Sequence, residues 1–312
     1  MRERAEGNTA AGNDQGFVLV AVLLVALVLI LVAVTFTYGV RSRVKSIASA
    51  VDSAEAEALA DAGVQLAVMD LQARRSGSSQ TSRFAAGSAA VVCAAPSQAG
   101  VIAIEVRDEA GKIDLNTNNE ALLLALVVGL GTPIEKARPI VSRILDFRDG
   151  DSQARPDGAE AEDYAGRAPP KNRPFDAVEE IEQVLAIPPK LVLEMRPFLT
   201  VNSGAEGFDP LQAPPGLRDV IVRGAALTSE TGFASSSAAM GQWEGIPTSF
   251  VSRSEGRAVS VLATGAARGG GRFTRWAILE APQAGRGDFT IRRWMQAPSS
   301  VAADYNGEKP PC

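Results

Sequence analysis

The feature that most constrains this chain lies near its start. From Phe17 to Val40 the sequence runs for 24 residues without a charge, and Arg41, Arg43 and Lys45 follow at once. In helical geometry such a run spans about 36 Å, enough to cross a hydrocarbon core of about 30 Å. A secretory signal has an apolar core of only about 7–15 residues followed by a cleavage site. No Ala-x-Ala site stands at the end of this run, so it reads as an uncleaved span. Beyond it, apolar residues recur every three or four positions, at Val44, Ile47, Val51, Ala54, Ala58, Ala62, Leu66 and Met69. That spacing predicts one amphipathic helix continuing from the membrane to about residue 72, with no proline to break it.

Composition narrows the chemistry. The 312 residues contain no histidine, which removes Ser-His-Asp and Cys-His catalysis and any imidazole zinc site. Cys93 and Cys312 are the two cysteines. They are too few for a disulfide framework or a thiolate metal cluster, and whether they form a single bridge is left open. The formal charge of −5 gives no reason to expect nucleic acid as a partner. Nothing places two carboxylates across a cleft, and the chain reads as a non-enzyme.

Two central segments share a pattern, Lys112–Asp151 and Arg173–Val201. Each opens on a capping signal, Thr117 with Glu120 and Asp176 with Glu179, and each is broken once, at Gly129-Leu130-Gly131 and at Ile187-Pro188-Pro189. They predict a helical domain of two helix-turn-helix units over 111–201. The alternative function is a membrane-anchored helix-hairpin-helix DNA-binding protein of competence type, whose turn amides would grip a phosphate. From Lys112 to Thr200, however, 11 basic residues face 15 acidic ones, the wrong sign for a phosphate surface.

Between the units, seven carboxylates fall from Asp146 to Asp163. Clustered oxygens near Gly and Pro suit a hard cation such as calcium. With Asp149 as the first loop position, Asp151 is third, Gln153 fifth, Asp157 ninth and Glu160 twelfth; Glu162 and Asp163 follow. Ala154 stands where an EF-hand needs its turn glycine, so an irregular site is expected instead.

Strands are predicted at Val101–Arg107, Arg257–Ala266, Arg272–Glu280 and Asp288–Gln296, with "ARGGG" as a hairpin turn. Trp276, Ile278, Phe289 and Ile291 are the expected buried face, residues 225–247 a long loop, and 297–312 a mobile tail. The fold class is α+β: a long N-terminal helix packed on a small antiparallel sheet, with a large α-helical domain (helix-hairpin-helix or SAM-like) inserted between strands. The boundaries are 1–16, 17–72, 73–110, 111–201, 202–296 and 297–312.

This layout resembles type IV pilins and the pseudopilins of type II secretion. Gly16-Phe17 is similar to a prepilin peptidase junction, which implies a 16-residue leader and an N-methylated Phe17. Most pilins carry a glutamate at the fifth mature position; here that position is Ala21. That substitution, with "IDLNTNNEALL", "ILDFRDGD", "AEDY", "KNRPFDAVEEI" and "MRPFLTV", resembles the minor pseudopilin family of general secretion pathway protein K. The resemblance implies a subunit at the pseudopilus tip, partnered by minor pseudopilins I and J, processed by prepilin peptidase and supporting protein export. It also implies calcium binding, a single pass through the bacterial inner membrane, and a head in the periplasm. Ala21 would then forbid a subunit above, and the stripe Val44, Ile47, Val51 would meet partner helices or the chain's own sheet.

Overall fold

The computed structural model describes residues 14–77, 83–87, 89–96, 99–117, 119–229, 243–282, 287–298 and 309–312. Its first helix, α1, runs Asp14–Arg75 without a break, 62 residues or about 93 Å. The apolar half carries two threonines, and each finds a partner in the helix: Thr35 Oγ1 donates to Val32 O and Thr37 Oγ1 to Ala33 O. Neither threonine hydroxyl is thereby left unsatisfied where water is absent.

From Ala56 onward one face of α1 is buried by Ala56, Leu59, Ala60, Val64, Ala67 and Leu71. This is not the expected face. Val44, Ile47, Val51 and Met69 are exposed, on the opposite side of the helix. The sheet presents bulky Ile102, Ile104 and Val261, against which Leu59, Val64 and Leu71 pack while Ala56, Ala60 and Ala67 keep the contact close. Close approach is strict at Gly265, where a Cβ would lie 2.2 Å from Ala56 O.

Five antiparallel strands form that sheet, in the order β1 (Val91–Ala94), β2 (Gly100–Asp108), β5 (Ala258–Ala267), β6 (Arg272–Glu280), β7 (Thr290–Gln296). Four of the five coincide with the sequence expectation, and β1 was not foreseen. The core parity differs by one residue. Ala277 and Leu279 face α1; of the expected residues, Ile278 is buried and Phe289 packs partly buried against the helix–sheet core, whereas Trp276 is half-buried and Ile291 exposed. Period-2 alternation marks two faces without saying which one the helix takes. Arg275 identifies it: its Nε lies 2.6 Å from Asp61 Oδ1 and its Nη2 2.7 Å from Glu57 Oε1, both on α1.

The far edge of β1 is covered by the chain's own C-terminus. Ala94 N donates to Pro310 O at 2.7 Å, Cys312 N donates to Ala94 O at 3.0 Å, and Cys93 is disulfide-bonded to Cys312. The expectation of a mobile tail is corrected at Pro310–Cys312, because a covalent bond and backbone pairing both hold it.

Between β2 and its neighbour β5 the chain leaves the sheet and builds a second core. β3 (Ile113–Asp114) pairs in parallel with β4 (Leu199–Thr200), closing the segment that holds α2 (Glu120–Gly129), α3 (Ile134–Arg148) and α4 (Pro189–Met195). The cap of α2 is Asn119, whose Oδ1 accepts from Leu122 N, whereas Thr117 Oγ1 turns back to Asp114 O. The helical core does not end at the expected boundary of 201. Phe208, Leu217, Val220, Ile221, Ala225, Ile246 and Phe250 all join the helical core. Within the segment taken for a loop and sheet, Leu217–Ser229 is a helix, α5. It seats tightly on α2, since a Cβ on Gly224 would lie 1.8 Å from Ala125 O. Most of residues 225–247 lie outside the described residues.

Candidate cation site and helix-packing face

The acidic loop leaves α3 at its C-cap, Asp149. Asp146, one turn earlier, is fully buried and satisfied by three donors: Arg155 Nη1 at 2.7 Å, Arg155 N at 3.2 Å and Ala159 N at 3.0 Å. These bonds fold the loop back over the end of α3. They bring Asp149, Asp151 and Glu160 together, with one carboxylate oxygen from each within 4.8 Å of the others. The first, third and twelfth positions of the sequence pattern therefore converge. Asp157, the ninth, is exposed in the left-handed region at φ 62° and stands outside the cluster. Glu162 is exposed, and Asp163 Oδ2 accepts from Glu160 N instead.

The cluster is chemically unfinished. Glu160 is 3% exposed, yet both of its carboxylate oxygens are buried without a hydrogen-bond donor. Asp149 Oδ1 is in the same state, and so is Asn172 Oδ1 on the loop's return path. Asn172 reaches the cluster through Nδ2, which donates to Asp151 O at 2.6 Å. Burial, followed by the charges of Asp146, Asp149 and Asp151, pushes the Glu160 carboxyl above its ordinary value. Buried acceptors without donors, all of them oxygen and mostly anionic, fit a hard divalent cation of the calcium class. Arg155 bridges Asp146 and Asp149 from one side and offsets part of the charge. Sequence reading missed Asn172 and the organising role of Asp146. An amide 12 residues beyond the twelfth loop position carries no spacing signal.

The other features expected to act lie on α1. The Gly16–Phe17 bond falls in its first turn, because the helix begins at Asp14. Ala21 is helical, so no carboxylate stands at that level. Val44, Ile47 and Val51 are 59%, 65% and 59% exposed, an apolar stripe that the chain's own sheet leaves uncovered.

Comparison with known proteins agrees with this architecture. Residues 103–204 match the family model described as type II secretion system (T2SS), protein K. Among solved structures, the chain is similar to one from the crystal structure of the GspK-GspI-GspJ complex from the enterotoxigenic Escherichia coli type 2 secretion system. The two share 16% identity at a TM-score of 0.55, over 83% of this chain and 99% of that one. No curated protein matches the chain by sequence. The family match falls on the helical core and its acidic loop, and the similarity in fold extends over most of the chain.

Proposed function

We propose that this minor pseudopilin caps the tip of the secretion pseudopilus in a complex with minor pseudopilins I and J, and so supports protein export. The observation that carries this reading is the exposed stripe Val44, Ile47, Val51, on the side of α1 that its own sheet does not use. An apolar helix face of this kind outside the membrane is suited to packing against neighbouring helices. Ala21 removes the carboxylate that a subunit above would pair with, and the bulky helical insert adds a steric stop. Prepilin peptidase would cut after Gly16 and leave Phe17 as the methylated N-terminus. The head would lie in the periplasm, a placement supported by the Cys93–Cys312 bridge, since disulfides persist in oxidising compartments. The DNA-binding alternative gains no support from the family match.

Asp149, Asp151 and Glu160, with Asn172 beside them, would hold a calcium ion. Its chemistry there is structural: it neutralises buried carboxylates and ties the loop to the end of α3. Calorimetric titration of the full chain is expected to show calcium uptake and a chelator-sensitive melting point. Chelator-insensitive melting without uptake would rule the site out.

The assembly reading is tested by co-expressing the full chain with pseudopilins I and J and prepilin peptidase. Val44→Asp, Ile47→Asp and Val51→Asp together are expected to abolish co-purification while the head still melts cooperatively. An intact complex in that variant overturns the role of the stripe. Intact-mass analysis is expected to show a chain starting at methylated Phe17.

A further inference from the structure

Arg41, Arg43 and Lys45 stand directly after the apolar span and are exposed. Among the described residues none of them forms an ion pair. The first carboxylate beyond them, Asp52, is seven residues further along the helix, about 10 Å away.

Their side of the membrane is unexpected. Lys and Arg usually accumulate on the cytoplasmic flank of a span. Here three follow the span, against Arg2 and Arg4 before it. The disulfide between Cys93 and Cys312 lies on the same side as the three, which points to an oxidising compartment. These cations therefore do not act as the orientation signal of the charge rule, and their presence there calls for another partner.

Their arrangement around the helix narrows that partner. At about 100° per residue, Tyr38, Arg41 and Lys45 share one face, and Arg43 projects on the opposite side. A neighbouring helix touches one face only, whereas a bilayer surface surrounds the helix. The apolar run ends at the depth where headgroups begin. Tyr38, 70% exposed, carries the aromatic ring and hydroxyl that favour this level of a membrane.

We propose that Tyr38, Arg41, Arg43 and Lys45 form a collar that binds the phosphates of anionic phospholipids in the leaflet on the head side, fixing the chain's depth. The inference rests on the reading of α1 as a membrane span. Each cation near an anionic surface contributes about fivefold in affinity, and salt screens the effect.

The test uses the full chain in detergent, titrated with phosphatidylglycerol or phosphatidylcholine, with retained lipids counted by native mass spectrometry. Co-flotation with vesicles of each lipid is run in parallel. Phosphatidylglycerol is expected to be retained over phosphatidylcholine by about tenfold or more. The preference is expected to vanish at high salt and in R41Q/R43Q/K45Q, and to persist in R41K/R43K. Equal retention of the two lipids overturns the proposal, as does a preference that survives the triple substitution. Displacement by inorganic phosphate would assign the cations to free phosphate rather than a headgroup, and also overturns it. Loss of co-purifying pseudopilins in the triple variant, with no lipid preference in the wild type, would assign them to a helix partner. Failure to float with either vesicle removes the span itself, and the collar falls with it.

Discussion

Two residues of the head, Glu160 and Arg275, sit in environments that make opposite predictions. Glu160 is a carboxyl in a site built for a cation, with its ionised form disfavoured by burial and three neighbouring carboxylates. In the cation-free chain the folded state holds a proton that the unfolded state releases near the ordinary value of 4.5. The stability this group contributes is therefore greatest in acid and falls as pH rises through and beyond that value. Asp108, raised above its ordinary value chiefly by burial, contributes with the same sign. Calorimetry in chelator is expected to show this decline as a pH-dependent difference between the wild type and Glu160→Gln. Calcium is expected to raise the melting point at pH 7 and not at pH 4, and Glu160→Gln to abolish the calcium response. Arg275 is the reverse case: a nearly buried guanidinium satisfied by Glu57 and Asp61 and placed 4.7 Å from the Phe273 ring centroid. Its acidic partners are half in water, which reduces the gain from each pair. Arg275→Met is expected to cost about 1–2 kcal/mol in denaturant unfolding, since hydrogen bonds to charged groups are worth about 1.5–3 before that discount.

At the scale of elements, the sheet has two edges with different protection. The β1 edge is closed by Pro310–Cys312 and the bridge to Cys93, across a sequence separation of 219. Closing so long a loop restricts the unfolded chain strongly, and Cys312→Ser is expected to lower stability by about 2–5 kcal/mol, measured by denaturant titration. The same variant is expected to expose the β1 amides to faster hydrogen exchange, whereas those of β6, inside the sheet, keep their protection. The helix α1 was legible in the sequence because 24 uncharged residues and an unbroken 3–4 period leave no competing fold. Which of its faces meets the sheet was not legible. Both faces are apolar, and the choice depends on how close two backbones can approach, which Ala56, Ala60 and Gly265 decide together.

At the scale of the whole molecule, the described residues form two large hydrophobic cores, one between α1 and the sheet and one inside the helical insert, beside a small cluster of Val101, Ala103 and Ala266. Leu126 is fully buried in the second and Val261 in the first. Leu126→Ala is expected to lower the unfolding free energy of the insert by about 2–5 kcal/mol, and Val261→Ala to destabilise the sheet core instead. Scanning calorimetry that resolves two transitions, each moved by one variant, checks this independence. A single transition moved equally by both would show one cooperative unit. By itself the sequence determined the long helix, four of the strands, the helical character of 112–200 and the acidic loop, because these are local: each is written in a period, a cap or a charge run. Only the tertiary structure decided the rest. It carried α5, Phe208, Ile246 and Phe250 into the insert's core, chose the face of α1 that holds Ala56 and Ala60 and the odd-numbered face of β6, and pinned the tail to β1. It also gathered Asp149, Asp151 and Glu160 while leaving Asp157 outside. Such choices turn on steric fit and on which buried groups find partners, quantities that exist only once distant segments are in contact.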